Sequence, residues 1–386
     1  MNVNDLFFAL CRFEICGTEL PDGIGELTDC DTTELFKLSR HHDSAHLVSD
    51  ALFKNGLIFK RNACFEEFKK VQMKAIYRYE RIAYELERTS CAFETAEIPF
   101  ILLKGSYLRR FYPEPWMRTS SDIDILVHEG DLDKAYNILE KSLCCKFYER
   151  GSHDIAFVSE SGLLIELHFD LIESARYPTA VKVLERAWDF AVLKDGFGYR
   201  YELKDEMFFF YHIAHMVKHF ENGGCGVRSF IDLWILEHSV EHCDSKRDEL
   251  LKKGGLYKFA EAARSLAEAW LSCKEPNELD LLLQSYILKG GTFGVTENGV
   301  VVKQVKQGSR SKYILSRLFP AMSIMKKQYP ELERHPWLAP LVYLKRALGV
   351  FTKDTRQRAK RQLYVSASVS REQAEQTAAL LNMLGL

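Results

Sequence analysis

The sequence predicts an α/β (α+β) core with a small mixed sheet, flanked by helical N- and C-terminal regions. Three observations predict it. Apolar residues recur near the 3.6-residue period over the stretch up to residue 95. From 96 to 200 the pattern shifts to short apolar, β-branched runs closed by Gly, Pro or Ser, the signature of strands and tight turns. Beyond Tyr201 helical spacing returns. The divisions are therefore 1–95, 96–200 and 201–386. A chain of 386 residues can bury two or three cores, and 47% apolar with 27% charged residues excludes a disordered or fibrous chain.

The elements follow in order. Asp5 to Glu14 reads as a helix that runs into a Gly/Asp-rich connection. Thr32-Thr33-Glu34 opens a second helix, with Thr as its N-cap. Ala45 to Leu57 is amphipathic and meets a stop signal at Asn55-Gly56. Residues 64–95 form one long helix, with Val71, Ala75, Ile76, Ile82, Ala83 and Leu86 on its apolar stripe. Ile98 to Leu103 is a buried strand entering a turn at Lys104-Gly105, and Tyr107 to Tyr112 is a helix stopped by Pro113. Ile123–Val127, Lys146–Glu149, Ile155–Val158 and Leu163–Phe169 are strands, with a helix from Leu132 to Leu143. Helices follow over Asp205–Phe220 and, after Gly223-Gly224-Cys225-Gly226, over Arg228–His238. Two or three more fill 246–289, then a loop at Lys289–Gly294, a Pro-punctuated helical stretch over 309–350, and a last helix from Ser370 to Leu384.

A net charge of −2 implies no bulk attraction to a polyanion or a membrane, but the average hides an asymmetry. Residues 1–50 hold ten acids against three bases, and residues 301–361 hold fifteen Lys/Arg against three acids. Such a basic stretch can meet RNA phosphates or an acidic partner, but a solvated helical face is the simpler account. The ten cysteines include no Cys-x-x-Cys pair, which points to a reducing compartment and away from a zinc site. Met1-Asn2-Val3-Asn4-Asp5 lacks a basic n-region and no apolar run is long enough to span a bilayer, so the expectation is a cytoplasmic protein without membrane contact.

The chemistry concentrates in three short segments. Asp122 and Asp124 sit two apart on a strand, so they share a face, with Ile123 and Ile125 buried behind them. Two adjacent carboxylates repel unless a cation joins them, and hard oxygen ligands suit Mg²⁺, with Mn²⁺ as an alternative. Glu166 supplies a third carboxylate from another strand. Gly105-Ser106, after a strand, lets backbone approach a ligand and offers N–H groups and a hydroxyl to phosphate oxygens. Three carboxylates around two Mg²⁺ suit in-line attack on a nucleoside triphosphate, with Asp122, Asp124 and Glu166 as both metal ligands and catalytic groups.

This constellation resembles the polymerase-β-like nucleotidyltransferase superfamily, in which Gly-Ser precedes Asp-x-Asp/Glu and a later carboxylate. It is more closely similar to the bacterial uncharacterised nucleotidyltransferases. The resemblance rests on Leu103-Lys104-Gly105, Arg118, Asp122-Ile123-Asp124-Ile125-Leu126-Val127 and Glu166-Leu167-His168. It extends to His41-His42, His215-Met216-Val217-Lys218-His219 and Arg228-Ser229-Phe230-Ile231-Asp232, spanning about 33–240 and, more loosely, 290–340. Two departures stand out: fifteen residues separate Ser106 from Asp122, and the third carboxylate is Glu166 rather than Asp.

The resemblance implies a nucleotidyltransferase core over 96–200 and metal-dependent nucleotidyl transfer from a nucleoside triphosphate to an unidentified acceptor, with release of pyrophosphate. Lys104, Gly105, Ser106, Arg118, His168 and Lys218 are the nucleotide-binding candidates. Lys104 suits either a phosphate or a carboxylate partner. Arg118 suits either a brace or a triphosphate contact. His168 shares the face of Glu166 and suits orienting that carboxylate or meeting the acceptor, or a plain core role. Lys218 is the helical lysine that such enzymes aim at the triphosphate. Asp232 is expected to tie Arg228 or Lys218 in place, and the aromatics at 208–211 are expected in the core. The acceptor is open between a small molecule, a protein and RNA, and the oligomeric state is open. Two alternatives remain: an RNA- or tRNA-directed enzyme using 301–361, and a non-catalytic nucleotide- or partner-binding protein on the same fold.

Overall fold

A computed structural model describes residues 1–171, 178–292, 294–320, 322, 325–326, 329, 331–349, 362 and 364–386. Phe293 and 350–361, the end of the basic stretch, lie outside the described residues.

Four helices lead the chain: α1 (Val3–Cys16), α2 (Asp29–His41), α3 (Ala45–Lys54) and α4 (Phe65–Thr95). Thr28, not Thr32, caps α2. Its hydroxyl accepts from the Asp31 N–H at 3.2 Å while Asp31 returns to the Thr28 N–H at 3.1 Å, a complete capping box. The α/β segment holds β1 (Phe100–Leu102), α5 (Lys104–Leu108), β2 (Asp122–Val127), α6 (Leu132–Asn137), β3 (Lys146–Arg150), β4 (Asp154–Val158), β5 (Leu164–His168), α7 (Pro178–Leu184), β6 (Ala191–Leu193) and β7 (Arg200–Leu203). Further helices are α8 (Asp205–Glu221), α9 (Val227–His238), α10 (Asp244–Gly254), α11 (Tyr257–Leu271) and α12 (Glu278–Gly290). Past them come α13 (Thr296–Lys306), α14 (Arg310–Leu318) and a terminal helix, Arg371–Leu384. No helix among the described residues is long and apolar enough to cross a membrane.

The sheet runs β3-β4-β5-β2-β1-β7-β6. It is mixed: β1 pairs antiparallel with β2 and parallel with β7, while β2 and β5 are parallel. The sequence pattern predicts five of these seven strands. It misses β6 and β7, which are short and whose residues are mostly exposed or half-buried, so the apolar signal is weak there. The predicted 107–112 helix is instead α5, starting at Lys104, followed by a 3₁₀ turn over Arg109–Phe111.

The two faces of β2 meet different surroundings. Ile123, Ile125 and Val127 bury with Phe100, Leu102, Ile165 and Leu167 against α4 and α6. The alternate residues Asp122, Asp124 and Leu126 point the other way, toward a larger core that includes Ile101, Leu103 and the aromatics of α8. That larger core is continuous from Leu6 to Leu384, so helices before and after the sheet in sequence share it. Phe8 of α1 stacks on Trp270 of α11 at 4.5 Å, and Arg12 donates to the Trp270 carbonyl at 2.8 Å.

Candidate active site

The parallel register of β2 and β5 places Asp124 opposite Glu166 and Leu126 opposite His168. Even-numbered side chains of both strands therefore face one side, toward α8, and a cavity of about 740 Å³ opens there. Asp122, Asp124, Glu166 and His168 line it from the sheet, Lys104 and Gly105 from the β1–α5 turn, and His215, Lys218 and His219 from α8. Its volume is in the usual range for a small-molecule site.

Lys104 stands at the bend where β1 ends. Its φ of 43° is left-handed, an uncommon conformation for a residue with a Cβ. The side chain is held there by Asp124, whose Oδ1 accepts from Nζ at 2.7 Å. His168 Nε2 lies 2.9 Å from the same oxygen and 3.4 Å from Glu166 Oε2. Asp124, Glu166 and His168 thus gather ligand-competent atoms within 4.8 Å of one another.

These contacts split the two aspartates. Burial alone would raise the Asp124 carboxyl, but the Lys104 charge and the His168 bond outweigh it and hold it well below the usual carboxylate range. Burial would likewise lower the Lys104 ammonium; Asp124 outweighs that and drives it upward. Among the described residues Asp122 has no such hydrogen-bonded partner. Burial first, and then the charge of Asp124, push it up to about 6. The carboxylate set therefore carries more negative charge than Lys104 neutralises, and the oxygen donors fit a divalent cation.

The opposite wall is basic and imidazole-rich. His215 Nε2 and His219 Nε2 are 3.1 Å apart, one donating to the other. Burial and then the nearby lysines lower both, His219 to about 4, so this pair is neutral at physiological pH. His153, on the turn before β4, is lowered to about 4 by burial and by Lys218. It lies with Asp154 and His168 in a second close group.

Arg118 is buried and engaged. Its Nε donates to Asp232 and its Nη1 to the Thr119 carbonyl, each at 2.6 Å. Tyr112 donates to the same Asp232 oxygen at 2.6 Å. Asp232 therefore holds Arg118 and Tyr112, whereas Arg228 donates to Asp43 at 2.7 Å, which corrects the Arg228 part of the expectation that Asp232 ties Arg228 or Lys218. This knot fixes the chain just ahead of Asp122, and the fifteen residues between Ser106 and Asp122 supply its Tyr112 and Arg118.

Gly105 faces the cavity, and a Cβ there would come within 3.2 Å of Ser120 Cβ. Ser106 is not brought to the cavity wall. Its N–H closes onto the Leu103 carbonyl at 3.0 Å and its buried hydroxyl has no partner among the described residues. Tyr211 lies in the core, as the sequence predicts, and is 2% exposed. Its hydroxyl also lacks a partner among the described residues, and burial, Lys104 and the three carboxylates all act on it. The one signal that could have found it is a hydroxyl ending the Phe208-Phe209-Phe210 run, where Phe would pack as well.

The model of a family described as uncharacterised nucleotidyltransferases matches residues 28–272. The chain belongs to that family. No curated protein and no solved structure matches it. The match covers α2 through α11, so it takes in every cavity-lining residue of this nucleotidyltransferase named above. The residues after 272, including Gly290, Gly291, Thr292 and Gly294 at the cavity edge, fall outside it.

Proposed function

We propose that the chain moves a nucleotidyl group from a nucleoside triphosphate to an acceptor hydroxyl and releases pyrophosphate. The observation that carries this reading is the convergence of Asp122, Asp124 and Glu166, from adjacent parallel strands, on one polar cavity whose far wall brings Lys218. In the reaction the acceptor oxygen attacks the α-phosphorus, the bond from that phosphorus to the bridging oxygen breaks, and pyrophosphate carries that oxygen away.

Asp122, Asp124 and Glu166 would hold Mg²⁺ or Mn²⁺, which supplies charge neutralisation at the phosphoryl oxygens. Glu166, half-buried at the cavity edge, takes the proton of the acceptor hydroxyl. His168 fixes the orientation of Asp124 through Nε2. Lys104 and Lys218 receive the triphosphate, Gly105 leaves room for it, and Arg118 acts as the brace that positions Asp122. Ten cysteines, all free, suit a reducing compartment, and we place the protein in the cytoplasm.

The test incubates the purified protein with each α-labelled nucleoside triphosphate, Mg²⁺ or Mn²⁺, and a small-molecule extract. The reading expects labelled product and pyrophosphate, both lost in Asp122→Asn and Asp124→Asn. A folded wild type that neither binds a triphosphate with metal nor releases pyrophosphate would overturn it.

A further inference from the structure

A side recess of about 80 Å³ opens beside the main cavity and shares Arg40, Asp43 and Arg78 with it. Arg40 and Arg78 therefore border both spaces. Arg40 sits in the last turn of α2, and Lys74 and Arg78 lie one turn apart on α4. Among the described residues, none of these three cations has an ion-pair or side-chain hydrogen-bond partner. The single acid on the recess wall, Asp43, is already matched: Arg228 donates to it at 2.7 Å and Thr119 Oγ1 at 3.3 Å. His46, also on the wall, is buried, lowered by that burial, and bonded through Nε2 to the Met117 carbonyl at 2.7 Å. The recess is thus net positive, and 80 Å³ admits one compact oxyanion rather than a second nucleotide. Its cations come from α2 and α4, while Lys104 and Lys218, given above to the triphosphate, come from the β1–α5 turn and α8. Thr119 on the recess wall is three residues ahead of Asp122, so at most about 11 Å of chain separates the two.

We propose that this recess holds the anionic group, phosphate or carboxylate, of a small-molecule acceptor whose hydroxyl receives the nucleotidyl group. The proposal rests on the nucleotidyl-transfer reading and adds the acceptor's chemical class. Arg40 and Arg78 fork onto the anion and Lys74 adds a point charge, which leaves the rest of the acceptor in the main cavity beside Glu166.

The test is calorimetric titration of protein saturated with a non-hydrolysable triphosphate analogue and Mn²⁺. The probes are inorganic phosphate, a hexose 6-phosphate, the free hexose and a short single-stranded RNA. The phosphate and the hexose phosphate are expected to bind and the free hexose not. Arg40→Gln with Arg78→Gln is expected to weaken both by about tenfold or more, the loss of two charge-assisted contacts. Both arginines are exposed, so the double variant should melt with the wild type, and its affinity for the analogue should be unchanged. Undiminished phosphate binding in the double variant would overturn the proposal. So would loss of the analogue, which would assign these arginines to the triphosphate, or binding of the RNA alone, which would assign the recess to a nucleic-acid acceptor. If the wild type fails to bind the analogue, the nucleotidyl-transfer reading falls and the acceptor role falls with it. Analogue binding without phosphate binding sinks the recess only.

Discussion

Two partly buried charge clusters in this molecule are built differently. Beneath α8, Arg247 is fully buried. It donates to Asp205 at 2.7 Å and to the Leu236 carbonyl at 3.0 Å, lies 3.2 Å from Glu237, and rests over the Phe209 ring at 4.2 Å. Arg264 covers Glu237 and Asp248 at 2.8 and 3.3 Å. There each acid meets a guanidinium. In the sheet cluster three carboxylates share Lys104 and one imidazole, and Asp122 is left raised to about 6. The first cluster satisfies its acids internally; the second, facing a cavity, keeps carboxylate oxygens that fit a cation from outside.

The comparison breaks most decisively at Asp124. Replacing it with Asn removes the partner of both Lys104 and His168, and transfer should fall by about 10³-fold or more, read as pyrophosphate release. At the Arg247 cluster the effects reverse. Arg247→Met should cost about 1.5–3 kcal/mol of stability in urea unfolding, because half-buried Asp205 would lose its guanidinium partner while Glu237 keeps Arg264. The transfer rate per folded molecule should be unchanged.

A smaller, graded effect separates the clusters by pH. The raised Asp122 keeps its proton up to about 6, so a metal must displace that proton below this pH. Mn²⁺ affinity should therefore rise as pH rises through about 6, and Asp122→Asn should flatten that rise. The sign for the metal-free fold is opposite. A carboxyl raised in the folded state binds its proton more tightly there, so stability falls as pH climbs from the ordinary carboxylate range to about 6. The smallest effect belongs to Ser106→Ala. Its hydroxyl is buried without a partner, so stability should stay within about 0.5 kcal/mol of wild type, and triphosphate affinity should not move.

The sheet cluster was the more legible of the two. A strand turns sequence spacing of two into a shared face, so Asp122 with Asp124, and Glu166 with His168, could be paired on paper. What joins the strands could not. The 2.7 Å bond from Lys104 depends on a left-handed residue at the end of β1, and no helix or strand period encodes that. The Arg118–Asp232 pair links residues 114 apart in sequence, and His153 reaches the cavity from a turn. Ser106 shows the reverse error. A Gly-Ser after a strand suggested a phosphate contact, but its N–H closes the first turn of α5. The Arg247 cluster left no sequence signal, because scattered Arg, Asp and Glu on helices read as a solvated surface.

The central claim is that the sheet cluster lacks a positive charge which a metal with its triphosphate supplies. The direct measurement is electron paramagnetic resonance of Mn²⁺ titrated into wild type and into Asp122→Asn/Asp124→Asn, with and without a non-hydrolysable triphosphate. The account predicts Mn²⁺ bound by the wild type, more tightly with the triphosphate present, and none held by the double variant while it remains folded. Equal Mn²⁺ binding by the two proteins would contradict it.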